Sequence, residues 1–451
     1  MPFPFENGIL KKYLFSMLHF LFDKPLCFEY NKVTLYFSRN GDFMYIRRHL
    51  EEQVKLASKN YPVVMVCGQR QVGKSTMLNH IKETGRKYVT LDDMNARRLA
   101  ETDPALFFET YGTPLLIDEL QRVPSILLEM KRIVDQKALD GEDNNGMFWL
   151  TGSQKFRMMQ NVSESLAGRV AVFDLAGLSQ AELDGREVGL FCPEINALKE
   201  RATIMKHKNI HEIFDLIFRG GMPKLHVSDI ERDRYYMDYV NTYLERDIKD
   251  LAQVGKLNEF YSFLVYMAAR TAQELKYDEI SKEIGVSAPT VKNWVSILER
   301  SGVIYILHPY FNNVTNRLVK TPKVYFMDTG LAAYLCRWPN ADTLENGNMA
   351  GAYFETYVVS ELIKSYYNAG KHVDMYYYRD IDKKEIDLLI LKGNKAYPIE
   401  IKKSKNPSDA DKNFKTLEKL NLEIQTGLII CMNDELIPYN KNAWYCPVSI
   451  L

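Results

Sequence analysis

The sequence predicts an α/β fold: a parallel sheet domain first, a helical middle region, and a second, smaller α/β domain at the end. Three observations carry this. Short apolar runs alternate with helical segments between residues 62 and 152, as in a parallel sheet with crossover helices. The first run, Pro62-Val63-Val64-Met65-Val66-Cys67, passes straight into Gly68-Gln69-Arg70-Gln71-Val72-Gly73-Lys74-Ser75, a complete G-x-x-x-x-G-K-[ST] loop. Near the other end, two alternating runs flank Lys392-Gly393-Asn394-Lys395, and a Gly-Asn centre is a two-residue hairpin signal.

The 451 residues are enough for about three domains. Composition is that of an ordinary soluble chain, 46% apolar and 26% charged with zero formal net charge. Any nucleic-acid or membrane binding must therefore come from local patches. The six cysteines (27, 67, 192, 336, 431, 446) are scattered with no C-x-x-C pair, which excludes a zinc ribbon or disulfide framework and fits a reducing, cytoplasmic setting. Lys11 to Phe22 loosely mimics a signal peptide, but Asp23, Lys24 and Pro25 follow it. The run is too short to span a bilayer, so no membrane partner is expected. Translation is expected to start at Met44, with residues 1–43 an appended or misread leader outside the native fold.

Residues 44–60 predict an opening helix. The strand at 62–67 and the phosphate loop follow, with Thr76 in the first turn of the next helix. Glycines 68 and 73 let successive N–H groups face a phosphate, and the helix start adds its positive dipole end. Lys74 can reach the β/γ-phosphates, and the Ser75 hydroxyl can bind Mg²⁺. Strands are expected at 87–91, 113–118 and 147–151, with a helix near 124–139 between the last two. Ligands of such sheets sit at the carboxyl ends of the strands. Asp118 is therefore expected to help hold Mg²⁺, and Glu119 to orient the attacking water. Thr151 and Ser153 follow the next strand; γ-phosphate sensing and plain helix capping are both open for them. From spacing alone Arg169 reads as a solvated surface residue.

Residues 203–257 look helical, with a break at 219–223, and the charged run Tyr243 to Ile248 reads as intrahelical ion pairs. A third unit begins near 258. A short helix at 278–284, a Gly285 turn and a second helix from Ala288 with an apolar face of Val291, Val295 and Leu298 form a helix-turn-helix pattern. Strands at 302–307 and 323–327 would be its wings, and Arg300, Arg317, Lys320 and Lys323 its phosphate contacts. DNA binding and protein contact both remain open for it.

In the last domain the hairpin register places Asp387 opposite Glu400 and Glu385 opposite Lys402. Opposed carboxylates repel unless a divalent cation, Mg²⁺ or Mn²⁺, lies between them. Lys402 would then position a water or stabilise a leaving charge. The alternative is a sheet face laced by salt bridges such as Glu385–Lys402.

Asp387 with Glu400-Ile401-Lys402 resembles the PD-(D/E)xK nuclease core. That resemblance implies metal held by Asp387 and Glu400, water activated by Lys402, and help from Glu355 on a preceding helix. Residues 44–451 are similar to a prokaryotic family of AAA-type P-loop ATPases with a C-terminal domain of unknown function, a winged helix and a PD-(D/E)xK-like fold. The motifs that carry it are the phosphate loop, Leu115 to Glu119, Leu150 to Ser153, Ser165 to Arg169, Gly220 to Pro223 and Tyr243 to Asp247. The resemblance implies ATP as ligand and Arg169 as a finger acting in trans within a homo-oligomer. Residues 1–43 have no counterpart in it. The expected organisation is residues 1–43 as leader, 44–200 the ATPase domain, 201–257 a helical lid or linker, 258–330 the winged helix and 331–451 the nuclease-like domain. Two functions follow: an ATP-hydrolysing protein whose last domain engages and cleaves nucleic acid, or a regulatory ATPase in which that domain is an inert binding module.

Overall fold

The structure is a computed structural model; it describes residues 27–30, 33–36, 45–152, 165–244, 257–311, 321–380 and 382–451. Strands β1 (Cys27–Tyr30) and β2 (Val33–Tyr36) pair as an antiparallel ribbon. The expected start at Met44 lies outside the described residues. The opening helix is shorter than the sequence suggests, since α1 covers only Glu51–Ser58. Arg48 and His49 precede it in irregular chain because both are tied elsewhere: Arg48 Nε donates to Glu182 Oε1 at 3.1 Å, and His49 N to the same oxygen at 2.9 Å.

A five-stranded parallel sheet follows, built from β3 (Val63–Cys67), β4 (Lys87–Thr90), β5 (Leu115–Asp118), β6 (Phe148–Gly152) and β7 (Val170–Asp174) in the order β4-β5-β6-β3-β7. Residues 63–67 and 148–152 are buried on both faces, which is why they read as continuous apolar runs. Helices α2 (Lys74–Ile81), α3 (Met94–Thr102), α4 (Pro104–Tyr111) and α5 (Ile126–Leu139) connect the strands. Register aligns Cys67 with Gly152 and Asp174, and Asp118 with Thr90. The chain order reverses at β3, so the crevice at these carboxyl ends is where an open α/β sheet takes its ligand.

Short helices α6 (Gln180–Leu183), α7 (Ile195–Ala202), α8 (Ile210–Arg219), α9 (Pro223–Val227) and α10 (Arg232–Tyr239) form the middle region. The expected break falls between α8 and α9, where Gly220 takes φ +79°. Val240–Leu244 winds as a π-turn, and the charged run at 245–248 lies outside the described residues. Next come α11 (Leu257–Ala269), β8 (Gln273–Glu274), α12 (Tyr277–Ile284), α13 (Ala288–Arg300), β9 (Ile304–Leu307) and β10 (Lys323–Phe326). Gly285 in the left-handed region ends α12, and Ser287 caps α13 by accepting from Thr290 N. Val291, Trp294, Val295 and Leu298 are all buried, with Trp294 against the Phe260 and Phe263 rings.

Helices α14 (Thr329–Leu335), α15 (Ala341–Glu345) and α16 (Ala350–Asn368) lead into the last sheet. Its strands are β11 (Met375–Arg379), β12 (Glu385–Lys392), β13 (Lys395–Ile401), β14 (Glu423–Ile424), β15 (Gly427–Cys431), β16 (Ile437–Asn440) and β17 (Ala443–Pro447). It is mixed: β11-β12-β13 are antiparallel, and β13, β15 and β17 run parallel. Among the described residues no helix is long and apolar enough to cross a membrane.

Candidate functional site: a phosphate loop at the sheet edge

Cys67 ends β3 in the core, and the loop 68–73 crosses to α2. Gly68 sits at φ +142°, and a Cβ there would lie 2.0 Å from the Leu175 carbonyl oxygen. Gly73 starts α2 from the left-handed region at φ +90°. Gln71, a non-glycine, is also left-handed at φ +59°, as expected where backbone is shaped around a ligand. Arg48 braces the loop from behind: NH1 donates to Val72 O and NH2 to Ala176 O, each at 2.8 Å.

Lys74 is buried, and its ammonium donates to Gly68 O at 3.0 Å and Gln69 O at 2.7 Å. Burial lowers its pKa, while Glu119 and Asp118 oppose that shift. Ser75 Oγ donates to Asp118 Oδ1 at 2.5 Å. Thr151 Oγ1 donates to the same oxygen, and Tyr88 OH to Oδ2 at 3.0 Å. Asp118 thus gathers hydroxyls from α2, β4 and β6, the neighbours on either side of β5. Glu119 follows with φ +58°, which breaks the strand direction. Its N–H donates to Thr151 Oγ1 at 3.2 Å, and its carboxylate accepts from Gln121 Nε2. A carboxylate and a hydroxyl at the strand end are hard oxygen donors of the kind Mg²⁺ takes.

The structure brings Gly68, Gln69, Arg70, Gln71, Val72, Gly73, Lys74, Ser75, Thr76, Asp118, Glu119 and Thr151 to one edge of the sheet. Ser153 lies outside the described residues. Arg169 stands at the opposite edge, where its carbonyl accepts Val63 N at 3.2 Å; five strand residues put about 13 Å between the two edges. Its guanidinium grips Asp135, with Nε at 2.5 Å and NH2 at 3.0 Å. Sequence reasoning missed Tyr88, Gln121 and Arg48. Tyr88 had one legible signal: it shares a strand face with Thr90, two residues from the ligand end.

The second candidate site lies on β12 and β13. The turn is Gly393-Asn394, with Lys392 opposite Lys395 and Leu388 opposite Ile399, so the expected register holds as far as pairing extends. Lys402 Nζ lies 3.3 Å from Asp387 Oδ2 and 2.7 Å from Glu400 Oε1. Asp387 Oδ2 also accepts Ile401 N at 2.8 Å. The expected Glu385–Lys402 pair is corrected: Glu385 binds Lys323 Nζ at 2.6 Å, because β10 packs a lysine against that end of the hairpin. Glu355 on α16 accepts from the same Lys323 at 3.2 Å and from Tyr325 OH at 2.7 Å. Burial, then the repulsion of Asp387, pushes Glu400 up to about 7. Glu355 is pushed up to about 6 by burial, against the pull of Lys323. Glu400 Oε2 is buried with no hydrogen-bond partner. Among the described residues no three His, Cys, Asp or Glu side chains group so as to hold a metal ion, so Glu355 does not join Asp387 and Glu400 as a ready ligand set. Lys323 is also corrected as a wing contact: it is buried between Glu355 and Glu385.

Residues 60–184 match the family model described as an AAA domain. That stretch is similar to AAA domains and has the parallel-sheet fold of P-loop proteins. Residues 210–342 and 350–451 match two families described as domains of unknown function, DUF8612 and DUF4143. Uncharacterized proteins of Mycobacterium bovis and Mycobacterium tuberculosis are each 27% identical to this chain over 367 residues, covering 80% of it and 75% of their own length. Among solved structures, the Walker-type ATPase of Pyrococcus abyssi is similar at TM-score 0.40 and 14% identity, covering 65% of this chain and 96% of its own. Thermotoga maritima RuvB is similar at TM-score 0.28 and 14% identity, covering 57% of this chain and 88% of its own.

Proposed function

We propose that the protein binds and hydrolyses ATP at the 68–75 loop and that its C-terminal domain engages nucleic acid. The observation that carries the ATPase reading is the Ser75–Asp118 bond at the carboxyl edge of the sheet, with Lys74 and Glu119 at the same edge. Bound Mg²⁺ would be held by Ser75 and Asp118 and would neutralise phosphate charge. The chain supplies the rest. Loop N–H groups orient the phosphates, Lys74 adds a positive charge from a dry position, and Glu119 aligns water and accepts its proton. Arg169 acts in trans in a homo-oligomer only if it first leaves Asp135. Lys74→Ala should abolish turnover; undiminished turnover would refute the site.

For the last domain, the unpartnered Glu400 Oε2 favours a cation-binding, nuclease-like centre with Asp387 and Glu400 as ligands and Lys402 beside them. Magnesium usually keeps several waters and needs only one or two carboxylates. The reading of this domain as an inert module has its own support: Lys402 already bonds both Asp387 and Glu400, and Lys323 binds Glu355. The helix-turn-helix at 277–300 with β9 and β10 supports the winged-helix reading; Arg300 remains exposed, and Arg317 and Lys320 lie outside the described residues. Titration with Mn²⁺ separates the two readings. A catalytic centre binds one Mn²⁺ more in wild type than in Asp387→Asn, while an inert one gives the same Mn²⁺ binding in both.

A further inference from the structure

A side chain of the phosphate loop reaches the helix-turn-helix unit. Gln69 is buried, and its Nε2 donates to the carbonyl of Gly302 at 2.5 Å. Gly302 is the turn between α13 and β9; its N–H donates to Glu299 O at 2.9 Å, and Val303 N donates to Leu298 O at 2.9 Å. The contact therefore grips the end of a helix on which Lys292 and Asn293 are exposed.

The backbone of the same glutamine belongs to the phosphate site. Its carbonyl accepts the Lys74 ammonium at 2.7 Å, as Gly68 O does at 3.0 Å. A phosphate in the loop competes with those two carbonyls for Lys74, because a charged acceptor is stronger than a neutral one. The peptide at residue 69 then loses its restraint, and the side chain that holds Gly302 moves with it. Behind Gly302 the unit is stiff: Leu298, Val303 and Trp294 are buried, and close-packed cores pass on displacement.

We propose that Gln69 is the positioning residue through which nucleotide occupancy reaches residues 277–307, and through which a partner bound to that unit alters ATP affinity. The inference rests on the reading of the 68–75 loop as the nucleotide site. Linkage makes the effect reciprocal. One neutral hydrogen bond supports a coupling of about 2- to 10-fold.

The test is hydrogen–deuterium exchange on the full chain, with and without a saturating non-hydrolysable ATP analogue, in wild type, Gln69→Ala and Gln69→Glu. The glutamate keeps the shape but cannot donate. Analogue binding is measured by calorimetry on each sample. In wild type, the analogue is expected to protect residues 68–78 and to change the exchange rates of the Gly302 and Val303 amides by about 2- to 10-fold. Each variant is read at the analogue concentration that calorimetry shows to saturate it, and under that condition the change at 302–303 should vanish. An unaltered response at 302–303 in both variants overturns the proposal, as does a wild type that protects 68–78 without any change at 302–303. A wild type that shows no calorimetric binding and no protection at 68–78 refutes the nucleotide reading itself, and the link falls with it.

Discussion

Asp118 is held in place by three hydroxyls, from Ser75, Thr151 and Tyr88. Two of them meet Oδ1, and Tyr88 alone fixes Oδ2. Burial and the neighbouring Asp118 raise the Tyr88 phenol's pKa, so it stays a donor at any ordinary pH. Tyr88→Phe removes that donor while keeping the ring. The carboxylate can then rotate away from the orientation that faces Ser75. The expected result is a rise of about 10- to 100-fold in the Mg²⁺ concentration giving half-maximal ATPase, the worth of one hydrogen bond to a charged group, with a smaller change in the maximal rate. A Mg²⁺ titration that overlays wild type would show that Tyr88 only packs.

At the scale of elements, the β12–β13 hairpin is a unit that titrates. The native protein holds Glu400 near pKa 7, while the unfolded chain releases that proton near the ordinary glutamate value of 4.5. A raised carboxylate pKa means its stabilising contribution is full below about pH 4.5 and is lost as pH rises through about 7. Glu355, raised to about 6, acts in the same direction. In chelator-treated protein, Tm should fall between pH 5 and 7.5, and Glu400→Gln should flatten that fall and raise Tm by a few degrees at pH 7.5. A steeper fall in the variant would contradict the assignment. The hairpin was legible because a Gly-Asn turn sets register and period-2 alternation sets faces. The phosphate loop, the strand before it and the apolar face of α13 were legible for the same reason: local spacing dictates them. Lys402 was legible too: two residues on from Glu400, it lies beside Glu400 and Asp387. The fate of Lys323 was not, since it chooses Glu355 and Glu385 by how β10 docks on the hairpin, and no spacing rule within β10 carries that. The opening helix was overread because Arg48 and His49 look like helix formers, yet Glu182, more than 130 residues away in sequence, holds them out of the helix.

Across the whole molecule, the ATPase domain and the last domain share buried polar contacts. Glu361 on α16 accepts Gln180 N and Lys364 Nζ, each at 2.7 Å. Lys364 also donates to Leu178 O at 3.0 Å, and Tyr357 OH to Gln180 Oε1 at 2.8 Å. Glu361 and Lys364 are both buried. Glu361→Ala leaves a buried ammonium without its counter-charge, a loss of about 3–5 kcal/mol. Calorimetry should show one cooperative transition in wild type and an earlier, divided one in the variant. An unchanged single transition would mean that the two sheets do not depend on this contact.

The proposed work of the phosphate-loop site is ATP hydrolysis, and the most direct test is single-turnover hydrolysis of radiolabelled ATP by wild type and Glu119→Gln, with retained nucleotide counted on a filter. If Glu119 aligns the water and does not hold the phosphates, as proposed, the variant should retain ATP while its hydrolysis falls by about 100-fold or more. Equal hydrolysis in the two proteins, or no ATP retained by either, would contradict the account.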